Sequence, residues 1–183
     1  MTVTFPVDFN AIRTAFARSI YSSTGLTAML EQPETQNVPR PGLPYIGFRI
    51  QSPAIKSGDD SHEYDPGTGL WKTGGVRKMV VVFDSYGSSH EEAYNYLTLW
   101  QCYLDTAPIR EYLRAAGIAI WVIGNVADLS QLLNTGFEGR AHLEVSCGIA
   151  VNLSNDLGSM ETAVVQGHVN TDQKTVVIST TVP

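Results

Sequence analysis

Hydrophobic residues recur along the chain with two different periods, and these periods predict both helices and strands. Apolar residues three and four apart predict a helix from Phe9 to about Ser22, with Asp8 as its N-cap and Gly25 after its last turn. Runs that are apolar throughout, or at every second position, predict strands. They cover Tyr45–Gln51, Val76–Phe83, Ile118–Ile123 and Glu138–Leu153. The pattern therefore indicates an α+β domain.

The strongest fold signal is the unit from Val76 to Leu104. Its strand, Val76–Phe83, is nearly all apolar, which indicates a central position covered on both faces. The residues from Asp84 to Gly87 are predicted to turn the chain, and Ser88 or Ser89 is expected to cap the helix that follows. That helix would present a broad apolar face made of Ala93, Tyr96, Leu97, Trp100, Tyr103 and Leu104.

Three shorter segments also show patterns that bear on secondary structure. Asp105 or Thr106 is expected to cap a second helix, which ends at Gly117. The leucine spacing in Ala127–Asn134 predicts a short helix. Leu26–Leu30 is too short for its pattern to separate helix from strand.

The segment Glu138–Leu153 shows the cleanest alternation in the sequence. Its apolar residues point to one face, whereas Arg140, His142 and Glu144 point to the other. At about 3.3 Å per residue the segment would span roughly 50 Å, which is long for a strand inside one domain. We therefore expect part of it to meet another protein chain.

Three further regions are predicted within a single domain that spans residues 1–183. Residues 31–44 form a proline-rich arm, which is either a stiff connector over the surface or a contact arm. Residues 52–75 form a long, glycine-rich and acidic loop. This loop is the tip of a hairpin if the strands on either side of it pair antiparallel. Residues 163–182 are expected to form a C-terminal hairpin.

Composition and charge narrow the classes of function. Twelve basic and eighteen acidic residues give a net charge of −6, which argues against a general nucleic-acid binder. No apolar run approaches the roughly 18 residues that a membrane span requires. The first residues lack the pattern of a secretory signal, so synthesis in the cytoplasm is expected. Cys102 and Cys147 are expected to be buried and unbonded.

Ser85 is the first candidate for chemistry because it follows a buried strand. The sequence Asp84-Ser85 resembles part of the Gly-Asp-Ser signature of the SGNH esterases, but Phe83 stands where the glycine would be. No Asp-x-x-His pair follows in the C-terminal half to provide an oriented base. We therefore interpret Ser85 as part of a turn and helix cap, with a serine esterase as the alternative.

The acidic loop is the second candidate, since its carboxylates could hold a divalent cation. The spacing of Asp59, Asp60, Glu63 and Asp65 does not match an EF-hand, and a solvated loop is the preferred interpretation. The histidines of the chain show no zinc-type spacing. We therefore expect no catalytic residue, metal or cofactor.

Four motifs, taken in order, resemble those of a known family. They are Arg40-Pro41-x-x-Pro44-Tyr45, Tyr86-Gly87 before a helix, Val126-Ala127-Asp128-Leu129 followed by Leu132-Leu133, and Phe137-Glu138-Gly139-Arg140-Ala141. Together they resemble the phage neck or tail terminator proteins, which tailed phages encode in their structural gene clusters. The resemblance extends from about Phe9 to Leu153.

The resemblance implies a mixed, mostly antiparallel sheet flanked by helices, with a long hairpin loop. It also implies a structural virion protein with no enzymatic activity, which forms a hexameric ring at the head-proximal end of the tail. Such a ring ends the growth of the tail tube and joins the tail to the head connector. Its partners would be other copies of itself, tail tube or sheath proteins, and head-completion or connector proteins.

In such a ring the genome DNA passes through without sequence-specific binding, and the acidic net charge suits this conduit. The long strand would augment a neighbouring sheet or line the inner wall of the ring. The alternative within the same class is another virion part, such as a head-completion or tail-tube protein. The candidate interface residues are Arg40, Tyr45, Asp59, Asp60, Glu63, Arg140, His142 and Glu144.

Overall fold

A computed structural model describes residues 7–31, 38–133, 136–155, 162–168 and 175–181. Its helices are α1 (Phe9–Thr24), α2 (His90–Leu104) and α3 (Ala107–Ala115). Its strands are β1 (Thr27–Leu30), β2 (Tyr45–Asp65), β3 (Leu70–Gly87), β4 (Ile118–Ile123), β5 (Ala127–Asp128), β6 (Gln131–Leu133), β7 (Gly136–Asn155), β8 (Thr162–His168) and β9 (Thr175–Thr181).

The main sheet has the strand order β1-β2-β3-β7-β4, and the short strands β5 and β6 also pair with β7. Strand β1 runs parallel to β2, whereas β4, β5 and β6 run antiparallel to β7. Strands β8 and β9 form a separate antiparallel hairpin, as predicted for the C-terminal region. The turn between them lies outside the described residues. The predicted α+β fold with a mixed sheet flanked by helices is confirmed.

The chain divides into two compact units. The first holds the helices and most of the main sheet. The second holds the distal end of the β2–β3 hairpin, residues 62–73, together with the chain from Leu153 onward.

The core lies between the helices and one face of the main sheet. Alternate residues of the central strands supply the sheet side of this core, and Phe83 of β3 lies near its middle. The ring of Phe83 is 5.4 Å from that of Phe16 in α1 and 5.6 Å from that of Trp100 in α2. Each such buried side chain contributes roughly 1.5–3 kcal/mol by leaving water. Among the described residues, the helices pack on this one face of the sheet.

The helix ends follow the capping chemistry that the sequence indicates. The Asp8 carboxylate accepts hydrogen bonds from the backbone N–H groups of Asn10 and Ala11, both at 3.0 Å. Gly25 ends α1 in the left-handed region, with φ of 73°, which glycine adopts without strain. Ser89 caps α2 by accepting from the N–H of Glu92. The predicted bounds of α1 and α2 are thus confirmed to within two residues.

The predicted turn from Asp84 to Gly87 is wrong, because β3 continues through Gly87. The alternation of the strand persists there, so Ser85 faces the helices and Asp84 faces the other side of the sheet. Ser85 therefore does not cap α2. Gly87 is the last residue of the strand. A Cβ at this position would lie 2.8 Å from the backbone nitrogen of Ala93, so glycine permits the close approach of α2.

The predicted short helix at Ala127–Asn134 is also wrong over the residues that are described. Ala127 and Asp128 pair with His142 and Ala141 of β7, and β6 pairs further along the same strand. The long β7 offers an open backbone edge there, and pairing with it outweighs a local leucine spacing that suits a helix. Asn134 itself lies outside the described residues.

Residues 52–75 form the distal part of a hairpin, but they are mostly strand and not loop. Strand β2 runs to Asp65 and β3 begins at Leu70, so that only residues 66–69 turn. Asp65 closes this turn, since its carboxylate accepts from the N–H of Gly67 and its carbonyl accepts from that of Gly69. The predicted hairpin is therefore present, with a shorter loop than expected.

The remaining predictions have mixed outcomes. Leu26–Leu30 is largely the strand β1, and Val38 to Pro44 of the proline-rich arm is irregular. Residues 32–37 of the arm lie outside the described residues. Both cysteines are free, as expected, but Cys102 is exposed and only Cys147 is buried. In the described part of the chain, no helix combines the length and hydrophobicity needed to cross a bilayer.

Candidate functional site

The outer face of the main sheet, opposite the helices, carries most of the polar side chains that the central strands contribute. Strand alternation that sends Phe83 and Leu143 into the core sends Asp84 and His142 to this outer face. No helix among the described residues packs on it. This face is therefore the candidate functional site.

Asp84 lies at the centre of the outer face and is only 1% exposed. Its carboxylate lies between guanidinium and imidazole groups from both neighbouring strands. Arg140 Nη2 is 3.1 Å from Oδ2, His142 Nδ1 is 2.8 Å from Oδ1, and Arg49 Nη1 is 3.9 Å from Oδ2. We call these residues the Asp84 cluster: Arg49, Asp84, Arg140 and His142.

The Asp84 cluster exists because a buried carboxylate needs compensating partners. An isolated buried charge is strongly unfavourable, whereas a charge with hydrogen-bonded partners is tolerated. Arg49 comes from β2, whereas Arg140 and His142 come from β7, on the other side of β3. The cluster therefore links three strands across a face that no described helix covers.

Next to this cluster, Tyr45 and Tyr86 stack on each other. Their ring centroids are 4.7 Å apart, with an angle of 19° between the planes. The guanidinium groups of Arg40 and Arg140 lie 5.7 Å and 5.4 Å from the Tyr86 ring centroid, within cation–π range. Burial raises the pKa of both tyrosines, so both remain neutral phenols at neutral pH.

Two residues of the proline-rich arm contact the Tyr86 side chain: Glu31, where the arm begins, and Arg40, near its other end. The Glu31 carboxylate accepts a hydrogen bond from the Tyr86 hydroxyl, and it occupies the space that a Cβ at Gly47 would fill. Burial raises the pKa of Glu31, and this hydrogen bond offsets part of the rise. At the other end, Arg40 lies 3.5 Å from Glu138 of β7. At its ends, the arm thus lies over its own sheet, which supports the connector interpretation.

The structure brings together half of the predicted interface residues. Arg40, Tyr45, Arg140 and His142 meet around Tyr86 and Asp84. Tyr45 is 1% exposed, so it supports this surface from within and offers almost no area for contact. Glu144 is exposed on the same outer face, next to a depression near the end of β4.

The three acidic candidates lie on the β2–β3 hairpin. Asp60 pairs with Arg77 at 2.6 Å and with Lys56 at 3.4 Å. The hydrogen bond from Arg77 lowers the pKa of Asp60 to about 2. Asp59 and Glu63 are exposed. The Asp60 contacts show that at least part of the acidic charge stabilises the hairpin itself.

The sequence alone does not indicate that Arg49, Asp84, Tyr86 and Glu31 belong to one site. Asp84 had a readable signal, since it is the single charge after the apolar run Val80–Phe83. A charge that continues a buried strand needs a partner on the neighbouring strand. The sequence predicts a turn at Asp84, and a turn does not place this side chain beside Arg140 and His142 of a neighbouring strand.

The geometry argues against the serine esterase alternative. Asp84 and His142 form a carboxylate–imidazole pair, which in a hydrolase would orient a base toward a nucleophile. Ser85, however, is fully buried on the opposite face, because successive residues of a strand alternate between faces. His142 therefore cannot activate Ser85. Among the described residues, no group of three or more His, Cys, Asp or Glu side chains could hold a metal ion.

The comparison with protein families gives a match over most of the chain. Residues 10–174 match the family described as phage neck terminator protein. A comparison with individual curated proteins gave no match. The family description is that of a structural component of the virion neck, in agreement with the resemblance drawn from the four sequence motifs. Since the match covers well over half of the 183 residues, the chain belongs to the phage neck terminator protein family.

Proposed function

We propose that the protein forms a hexameric ring at the head-proximal end of a phage tail. There it ends the growth of the tail tube and joins the tail to the head connector. The observation that carries this proposal is the family match over residues 10–174. The partners would be other copies of this chain, tube or sheath proteins, and head-completion or connector proteins.

The outer face of the sheet supports an assembly role because its buried charge, Asp84, is compensated within the subunit. The face therefore does not need a partner in order to be stable. The buried Asp84 has cationic partners on both sides, so the face is stable before any partner binds. Exposed polar groups such as Arg40 and Glu144 remain at its margins. A paired and partly polar face suits a subunit that folds alone and then assembles.

The net charge of −6 supports the passage of DNA through the ring. A basic wall would hold a polyanion through counterion release and so slow its transit. A chain with more acidic than basic residues lacks this general attraction. We propose that the genome contacts the ring without sequence-specific binding.

A tube-growth assay tests this function. Tail-tube protein is polymerised in the presence of increasing amounts of the purified chain, and tube lengths are measured by negative-stain microscopy. A terminator is expected to shorten the tubes and to be visible as a ring bound at one end of each tube. Incorporation along the whole tube would instead identify a tail-tube protein. Tubes of unchanged length with no ring at either end would contradict the proposal.

A further inference from the structure

Strand β4 (Ile118–Ile123) forms one end of the main sheet. It pairs with β7 on one side, and on the other side no strand lies beside it in the part of the chain that the structure describes. An edge strand presents N–H and C=O groups that can pair with another strand. The edge of β4 is therefore a surface whose natural ligand is a β-strand.

The edge strand lacks the usual protection against such pairing. Its sequence, IAIWVI, contains no charged residue and no proline, which are the common means of keeping an edge unpaired. At the other end of the sheet as described, Thr27, Ala28 and Met29 of β1 are also uncharged. Two edges of one chain thus lack charges, although charged side chains are present on the strands between them.

A β-bulge adds an exposed apolar patch beside the β4 edge. The register with β7 shifts between Ile120 and Val122. Trp121 lies over Gly148, where a Cβ would overlap with the indole ring. The side chains of Trp121 and Val122 are 44% and 61% exposed. Burying two such side chains would favour association by roughly 25 cal/mol per Å² of apolar area removed from water.

Next to this patch the outer face contains a depression of about 300 Å³. This volume can receive one or two side chains from an approaching strand. Apolar and polar groups both line it: Val122, Gly124, Asn125, His142, Glu144 and Ser146.

We propose that the edge of β4 in one copy pairs with β1 of the next copy, so that the main sheet continues from subunit to subunit. This inference rests on the proposed ring. A ring requires two different surfaces that meet head to tail, whereas pairing of β4 with β4 would close at a dimer. The two uncharged edges of one sheet provide such a pair of surfaces.

Cross-linking of paired positions tests this inference. Val122→Cys and Thr27→Cys are made singly and together in a Cys102→Ser background, which removes the exposed native thiol. Purified proteins are treated with a short bismaleimide, whose reach tolerates a difference of one or two residues in register. The double variant is expected to give a ladder of covalent multimers, and each single variant is expected to give none.

Two outcomes would overturn the inference while leaving the ring in place. Covalent dimers from Val122→Cys alone would show that β4 meets β4. Oligomers of normal size by light scattering, without a ladder in the double variant, would show that another surface forms the contact. Absence of any oligomer in the same light-scattering measurement, and of rings when tail-tube protein is added, would instead overturn the proposed ring, and the inference with it.

A charge placed at the edge provides an independent test. Val122→Lys puts an ammonium group where a neighbouring strand would exclude water, so association is expected to need at least about tenfold more protein. Tyr21→Lys on α1 is the matched control, since Tyr21 is 66% exposed. Both variants are expected to keep the thermal stability of the parent. Equal association by the two variants would contradict the inference.

Discussion

At the scale of single residues, the outer face depends on one buried carboxylate. Asp84 is the only acidic side chain of the cluster, and it contacts cationic groups from β2 and β7. Removing one member of a buried charge network leaves the others without compensation, which costs more than the loss of an exposed ion pair.

Asp84→Ala is expected to lower the free energy of unfolding by about 3 kcal/mol, because Arg140 loses its partner in a partly buried position. Urea denaturation measures this change. Asp105→Ala is the control, since the Asp105–Arg110 pair lies at the surface and should contribute less than about 1 kcal/mol. Equal effects of the two substitutions would show that Asp84 is not structurally important.

Glu31 should make stability depend on pH. Burial raises its pKa in the folded state above the value of 4.5 for a free side chain, so folding favours the protonated form. The contribution of Glu31 to the free energy of unfolding is therefore fully present below pH 4.5, and it is lost as the pH rises through the folded-state pKa.

Glu31→Gln is expected to remove this loss of stability at higher pH, because the amide oxygen still accepts a hydrogen bond from the Tyr86 hydroxyl and the amide carries no charge. Denaturation at pH 4.5 and pH 7 should show a smaller difference in the variant than in the parent. Glu91→Gln at the exposed start of α2 is the control. An unchanged difference in Glu31→Gln would contradict the assignment.

At the scale of elements, the sequence predicts those segments that have both a clear period and a clear end. Helix α1 has an apolar stripe, Asp8 at its start and Gly25 after its end, so local chemistry alone defines it. The burial of side chains along β7 alternates from Arg140 to Cys147, as its sequence pattern predicts. Local propensity signals fail where pairing with another strand decides the outcome, as at Asp84–Gly87 and Ala127–Leu133. The first segment continues β3, which lies beside β7 in the sheet, and the second pairs with β7 through β5 and β6.

Val145 tests the assignment of the two faces of β7. Val145→Asp is expected to prevent folding, because it buries an uncompensated charge at a cost of several kcal/mol. Ala150→Asp makes the same kind of change at an exposed position of the same strand and should leave the fold intact. Circular dichroism and thermal melting compare the two, and a folded Val145→Asp protein would contradict the assigned faces.

At the scale of the whole molecule, the function cannot be derived from the chemistry of individual side chains. The Asp84 cluster explains how an uncovered sheet face is held together, but it contains no nucleophile or metal site from which an activity follows. The proposed function rests on the order of four motifs and on the family match over residues 10–174. The physical reason is that an assembly surface is distributed over many residues, each of which also has a plain structural role.

The outer face is tested at this scale by a substitution that spares the Asp84 cluster. Arg140→Glu does not meet this requirement, because Arg140 contacts Asp84 directly and its substitution should also destabilise the fold. Glu144→Lys reverses an exposed charge instead. It is expected to leave the melting temperature unchanged and to weaken oligomer formation by light scattering. Normal assembly would exclude this part of the outer face from the interface.

The claim that this chain works as a ring is tested most directly by the molar mass and shape of the purified protein. Size exclusion with light scattering, followed by negative-stain microscopy, provides both. The expected result is a hexamer of the 19.9 kDa chain, or a concentration-dependent approach to it, with ring-shaped particles that have a central opening. A species that remains at 19.9 kDa at every concentration, and forms no rings even with tail-tube protein present, would contradict the account.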